Sequence, residues 1–237
     1  MMIDNFDFKI IPIFKQSEEL CETFADIDIR CSIDMGRDYI PLRDLDKDYF
    51  DMWKKEKNVF AFVAWDKKQI IGFANGYMDN DAMMYLNSLY VEPLYQHFGI
   101  GSKLLQTVEN MACILVSNIK LFPLTKAVKF YQRYKYKYAG ADNKYMVKKL
   151  PKTIMGVVPV FEWCDELQAK LSFKVDNAFL KSYEHQPMFV YIGKNNNIDG
   201  VAVRLPDGKN DIKLNEKQKS VLKYRKTELE YALNNCR

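Results

Sequence analysis

The chain has 237 residues, of which 48% are hydrophobic and 28% charged, with 35 Lys+Arg against 31 Asp+Glu. Such a composition excludes a disordered or low-complexity chain and suits one large domain, or a domain of roughly 150 residues with a smaller companion. The charge is uneven: residues 1–117 carry 12 Lys+Arg against 19 Asp+Glu, residues 118–150 carry 9 against 1, and residues 151–237 carry 14 against 11.

Residues 8–14, "FKIIPIF", read as an edge strand, because Pro12 cannot donate a ladder hydrogen bond. "SEELCETFADIDI" then opens on Ser17 with acidic residues in its first turn, a helix start, and "DKDYFDMWKK" supports a second short helix. "NVFAFVAWD", "QIIGFANGYM" and "MMYLNSLYV" follow, rich in aromatic and β-branched residues and separated by turn-like "DKK" and "DNDA", which predicts three consecutive antiparallel strands. Beyond Pro93 the period changes from two to 3.6. Ile100, Leu104, Val108, Met111 and Leu115 predict a helix of four to five turns beginning near Gly99. "IKLF" is a short strand, "TKAVKFYQRY" a basic helix, and "YKYAG" with "KYMVKKL" a closing hairpin.

Pro151 marks a domain boundary, giving domains 1–150 and 151–237. In the second, "FEWCDELQAKLSF" predicts a helix, "MFVYIG" and "GVAVRL" a hairpin around "KNNNID", and "NEKQKSVLKYRKTELEYALNN" a final helix. That helix has Asn215 as its N-cap and Val221, Leu222, Leu229 and Leu233 as buried positions. The expectation for 151–237 is thus a small C-terminal α/β domain made of helix, β-hairpin and helix. Cys21, Cys31, Cys113, Cys164 and Cys236 are scattered without a CxxC pair, and the histidines are His97 and His185, so neither a disulfide framework nor a metal site is expected. No apolar run approaches the roughly 20 residues that span a bilayer. The start "MMIDNFDFKI" has acidic residues where a secretion signal has basic ones. A cytoplasmic location without membrane association is expected.

The stretch "QHFGIGS", residues 96–102, carries the chemistry. Glycines at 99 and 101 let the backbone turn sharply and bring its N–H groups close to a ligand, and the helix that follows adds unpaired N–H groups and the positive end of its dipole. Together these make an anion site for a phosphate or pyrophosphate, to which Ser102 adds a hydroxyl and Lys103 a charge. The dinucleotide fingerprint needs a third glycine where Leu104 stands, and the P-loop's GK[ST] is missing. Tight helix–strand packing is the alternative reading of the two glycines. The basic block 118–150 is likewise either an anion site or a solvated face. Its "FYQRYKYKY", read as a strand, places Tyr134, Tyr136 and Tyr138 on one face, either as a core face or as a stacking platform for single-stranded nucleic acid.

Gln96, Gly99 and Gly101 match the [Q/R]-x-x-G-x-[G/A] signature, Val91 and Pro93 the V-x-P ending of the preceding strand, and Ala127, Phe130 and Tyr131 an A-x-x-[F/L]-Y helix. On these residues the sequence resembles the GNAT superfamily of N-acetyltransferases over about residues 8–150. The resemblance implies an α+β fold in α/β/α layers, with a mixed, mostly antiparallel central sheet flanked by helices, and acetyl-CoA as cosubstrate. It implies that Leu89, Tyr90, Val91, Gln96, His97, Phe98, Gly99, Ile100, Gly101, Ser102 and Lys103 hold the cosubstrate. Departures are Leu124, where the family often has Asn, Lys135-Tyr136 in place of Gly-Phe, and Gln96 in place of the commoner Arg.

The resemblance further implies direct transfer of an acetyl group to a primary amine, on a small molecule or a protein, with a backbone N–H around Leu89 to Val91 stabilising the oxyanion and Tyr131 as donor to the leaving thiolate. Lys135, one turn on, would lower the Tyr131 pKa. Asp79 and Asp81 are the candidates for the general base by position, against a solvated turn, and Tyr85 and Asn87 for lining the amine channel. Alternatives are a catalytically silent acyl-CoA-binding module and an acetyltransferase acting on aminoacyl-tRNA. The C-terminal domain is expected to shape the acceptor site or to mediate homodimerisation.

Overall fold

The computed structural model describes residues 6–36, 42–79, 82–151, 154–183, 186–217 and 219–236. It divides into two units, Met1–Glu109 with Asn118–Lys149, and Asn110–Ser117 with Leu150–Arg237.

In the first unit β1 (Lys9–Pro12) is an edge strand paired with β2 (Lys57–Trp65), and past Pro12 the Ile13 N–H still donates to the Ala61 carbonyl at 2.9 Å. The strands β2, β3 (Ile70–Met78) and β4 (Met84–Val91) form the antiparallel run that the alternating aromatic and β-branched residues predict. β4 then pairs in parallel with β5 (Asn118–Leu121), the crossover running through α3 (Ile100–Ala112). The hairpin β6 (Lys137–Ala139) and β7 (Tyr145–Lys149) places β7 beside β5, so the sheet order is β1-β2-β3-β4-β5-β7-β6. It is a mixed, mostly antiparallel sheet flanked by helices, as expected. The helix α3 has 13 residues, shorter than four turns. Beyond it Ile114 and Leu115 donate to carbonyls three residues back, so the apolar period outlives the helix by a tight turn.

One face of β2 and β3 is covered by α1 (Glu18–Asp34), capped by the Ser17 hydroxyl, which accepts from the Leu20 N–H, and by α2 (Leu42–Lys55). Phe24, Tyr49 and Phe73 make the centre of that layer, with Phe24 and Phe73 stacked at 4.1 Å and Tyr49 edge-on to both at 5.8 Å. The opposite face holds Phe60, Phe62 and Met84, all buried.

The register between β3 and β4 slips by one residue: Asn75 faces Ser88 while Gly76 faces Leu86, which leaves Asn87 as an extra residue, a β-bulge. Gly76 is required there. A Cβ on it would lie 1.9 Å from the Tyr85 carbonyl oxygen and 2.7 Å from the Phe60 ring.

The second unit differs from the expected helix, hairpin and helix. The hairpin β9 (Met188–Ile192) and β10 (Ile198–Arg204) is present, but β8 (Gly156–Pro159) and β11 (Asn210–Leu214) flank it in a four-stranded antiparallel sheet of order β11-β10-β9-β8. The helix expected at "FEWCDELQAKLSF" shortens to α5 (Asp165–Ala169), and α6 (Asn177–Lys181) was not anticipated. The final helix α7 (Leu222–Asn234) buries Leu229 and Leu233, while Val221 and Leu222 are only partly covered. Asn215 does not cap it; its amide donates to the Ser172 hydroxyl at 2.8 Å. Ser172 in turn donates to Asp199, which forms a buried ion pair with Arg225 of α7 at 2.8 Å. Removing one member of such a pair leaves an uncompensated buried charge, so this network pins the helix to the sheet.

Replacing Gly76 by alanine should destabilise the chain by about 2 kcal/mol, since the Cβ meets backbone that cannot yield easily. A melting curve should fall by roughly 4–8 °C; an unchanged midpoint would mean that the strands do not approach as closely as the bulge requires.

Candidate active site

The loop 96–102 is fixed before it reaches α3. Arg30 of α1 grips Glu92 through its Nε at 2.9 and 3.1 Å, and the Gln96 amide donates back to the Val91 carbonyl at 3.2 Å. The buried Cys31 thiol, pushed up to about 12 by burial, donates to the same carbonyl at 3.2 Å. Tyr95 and Phe98 pack on Phe6, each at 5.4 Å, so Phe98 props the loop from outside.

Both His97 and Gly99 take left-handed backbone, with φ of 69° and 82°. The Gly99 carbonyl accepts from the Lys103 N–H at 3.0 Å, so the N–H groups of Ile100, Gly101 and Ser102 precede the first intrahelical donor. Successive free N–H groups at a left-handed turn and helix start form an anion cradle. The two glycines serve different ends. Gly99 answers a backbone conformation, whereas a Cβ on Gly101 would only touch Val91, Leu89 and Phe130 at 3.6–3.7 Å, ordinary contact distances. Those neighbours show that the loop, the end of β4 and the α4 helix (Val128–Arg133) converge on one spot. Lys103 is exposed beside it, while the Ile100 side chain is core.

The ladder between β4 and β5 ends at Leu86 opposite Leu121. Beyond it the two strands part, and the β5-facing backbone groups of Asn87 to Tyr90 have no ladder partner among the described strands. The bulge at Asn87 stands where the parting begins. The alternation set by Phe73–Tyr90 and Asn75–Ser88 directs Leu89 and Val91 to the α3 face and Ser88 and Tyr90 to the α1/α2 face.

Tyr131 lies on α4, buried, its ring edge-on to Phe130 at 5.1 Å and to Tyr136 at 5.6 Å. Burial drives its pKa well above the usual phenol range, the opposite of the lowering expected from Lys135. The helix explains why: it ends in a Schellman motif, in which the Tyr136 N–H returns to the Tyr131 carbonyl at 3.2 Å and the Lys135 N–H to Gln132 at 3.0 Å. Lys135 occupies the left-handed C′ position with φ 69°, exposed. The "FYQRYKYKY" stretch is therefore no single strand. Tyr136 is core while Tyr138 on β6 is exposed, and the two do not form one stacking face. Leu124 begins the 3₁₀ turn Thr125–Ala127 ahead of α4 with no side-chain cap.

On the α1/α2 face of β4 a cavity of about 440 Å³ opens. Ser88 and Tyr90 form its floor, Asp28 and Tyr49 one wall, and Asp48 and Glu56 stand among its lining residues. A hydrogen-bonded chain crosses it. The Asn87 amide donates to Ser88 Oγ at 3.2 Å, Ser88 bonds Tyr49, and the Tyr49 hydroxyl donates to Asp28 Oδ2 at 2.8 Å. Ser32 Oγ donates to the other Asp28 oxygen at 2.9 Å. Burial and the Asp28 charge push Tyr49 well above 10, so its proton stays on the phenol. Sequence reasoning missed this chain. Its one legible sign was an acid, Asp28, on the apolar stripe of Phe24, Ile27 and Cys31.

Asp79 closes the β3–β4 turn by accepting from the Met83 N–H at 3.1 Å and forms an ion pair with Lys120 of β5. Asp81 lies outside the described residues, as does His185. Tyr85 packs on Tyr77 at 5.4 Å and on Tyr145 at 6.4 Å.

Residues 57–138, from β2 into β6 and so including the loop, the bulge and α4, match the family model of the acetyltransferase (GNAT) domain. The chain carries a GNAT acetyltransferase domain. Solved structures share its fold: a protein from Pyrococcus horikoshii OT3 is 21% identical with a TM-score of 0.51, covering 61% of this chain and 99% of its own. Acetyltransferases from Streptococcus agalactiae and Thermus thermophilus are 16% and 14% identical with TM-scores of 0.52 and 0.51, each covering 62% of this chain and 100% of its own. A comparison with curated protein sequences gives no match. Among the described residues no helix is long and apolar enough to cross a membrane.

The two glycines of the GNAT loop can be told apart by stability. Gly99→Ala should lower it by about 1 kcal/mol, the strain of a left-handed Cβ, and Gly101→Ala should leave the melting midpoint unchanged or slightly raised. Equal losses would mean that the fold itself, and not a ligand, demands glycine at 101.

Proposed function

We propose that the chain is an acetyl-CoA-dependent N-acyltransferase that moves the acetyl group to a primary amine by direct attack, without a covalent enzyme intermediate. The observation that carries this reading is the bulge at Asn87. It stands between the unpaired edge of β4, next to the anion cradle on one face, and the hydrogen-bonded chain to Asp28 on the other.

The donor fits the residues present. The N–H groups of Ile100, Gly101 and Ser102 with Lys103 would hold a pyrophosphate, and the open backbone of Asn87 to Tyr90 would hold an amide-bearing arm. Bound there, acetyl-CoA supplies an acyl carbon activated by its thioester. The freed N–H groups beyond the bulge offer donors to the acyl oxygen, fixed before reaction and so needing no reorganisation.

An alkylammonium with a pKa near 10.4 leaves only about one molecule in a thousand unprotonated near pH 7.4, and this fraction attacks. One of its two N–H protons becomes acidic as the new C–N bond forms, and the Ser88–Tyr49–Asp28 chain receives it at Ser88 Oγ and delivers one to Asp28. Asp79, tied to Lys120 and a turn amide, is assigned a structural role. Tyr131 faces the leaving thiol. A phenol is already less acidic than a thiol by about 1.5 units, and burial widens the gap, so Tyr131 donates a hydrogen bond and keeps its proton.

Thiol release from acetyl-CoA across an amine panel tests the reaction. Asp28→Asn should lower kcat by about 100-fold with KM for acetyl-CoA unchanged, and Asp79→Asn should not; the reverse pattern moves the base to Asp79. Tyr131→Phe should cut kcat tenfold or more with little change in acetyl-CoA binding, and wild-type turnover in that variant would remove its role.

A further inference from the structure

We propose that the acceptor is a small linear amine with a second positive charge, a diamine or polyamine, seated in the cavity between α2 and β4. This rests on the transferase reading above and names its substrate class.

Three observations carry it. The cavity's charge is one-sided: Asp28, Asp48, Asp51 and Glu56 line it against a single cation, Lys55, which is committed to Asp51 at 2.9 Å. Among the described residues neither Asp48 nor Glu56 has an ion-pair partner. Burial raises the pKa of Tyr77, on the sheet side of the cavity, and Glu56 lies close enough for its charge to add to that rise. A wall of low dielectric with charges of one sign concentrates cations, and each further positive charge on the ligand multiplies the effect.

Asn75 is the second observation. It is fully buried, and neither its Oδ1 nor its Nδ2 has a hydrogen-bond partner among the described residues. It stands opposite Ser88 in the register and between Phe73 and Tyr77 on β3, on the same face of the sheet as Ser88 and Tyr77, two residues that line the cavity. Buried amides are nearly always paired, so an unpaired one at this place is a reason to look for a polar ligand.

Geometry supplies the third. Ser88, the first proton acceptor, is in the floor and the free carboxylates are on α2 and just after it, so an amine at Ser88 needs a second cationic end to reach them. Tyr49, Tyr77 and Tyr90 also line the cavity, and aromatic rings suit a cation's passage. A neutral tail would find the same space without the attraction.

The test uses the full chain and a matched pair, 1,4-diaminobutane and 4-amino-1-butanol, which differ in one charge at almost equal size. By calorimetry the diamine should bind at least tenfold tighter at low salt, the advantage shrinking several-fold as ionic strength rises. The double variant Asp48→Asn, Glu56→Gln should remove most of that advantage while leaving acetyl-CoA affinity and the melting midpoint unchanged, which shows that it is folded. Equal binding of the pair by the wild type, or an undiminished advantage in the double variant, overturns the proposal. Preferential diamine binding without thiol release on any amine supports the site and defeats the transferase reading instead.

Discussion

The contact on which the site depends is the approach of the Tyr85 carbonyl to Gly76, a place where no side chain fits. That approach lets β4 carry one residue more than β3 and brings Ser88, not Asn87, opposite Asn75. A bulge in a half-buried sheet changes which side chains meet each helical layer. Without it, Ser88 and Tyr90 would exchange faces with Leu89 and Val91. The carboxylate chain would then lose its first member, and the anion cradle its apolar support.

The same arrangement separates two opposite electrostatic tasks. The cradle offers N–H groups and an exposed lysine; the cavity offers carboxylates and phenols. Within the first unit they lie on opposite faces of one strand, so a polyanionic ligand and a cationic one would each meet a side that favours it. Burial of Tyr131 and Tyr49 serves this division too, since it raises both phenols above their ordinary pKa and favours their neutral, donating form.

Most of the first unit was legible in the sequence because its signals are local. Alternation in "NVFAFVAWD", Ser17 ahead of acidic residues, and Gly99 before an apolar stripe each specify an element without knowledge of its neighbours. The bulge was not legible, because a one-residue slip is a property of two strands, and Gly76 looked like any strand glycine. The carboxylate chain was hidden for a similar reason: Asp28, Tyr49 and Ser88 come from three elements that only packing brings together. In the second unit the strands that escaped notice, β8 and β11, are the edges of their sheet. Edge strands bury less and tolerate Pro159 or the polar "NDIKL", so the hydrophobic pattern fades where it matters for drawing the sheet. Asn215 had the right chemistry for a cap, and its Oδ1 does accept a backbone N–H, that of Lys217 at 3.2 Å, but in the turn ahead of the helix.

The join between β4 and β5 spans only Met84 to Leu86, and it is parallel. A parallel pair needs its crossover in place before it can form, and a three-residue ladder adds little cooperativity once formed. The cleft therefore belongs to the late-forming and early-opening part of the sheet, while the antiparallel run from β1 to β4 is its durable part. A ligand bridging the parted strands would act as the missing rungs of that ladder, so the protein's resistance to local opening would depend on what it has bound.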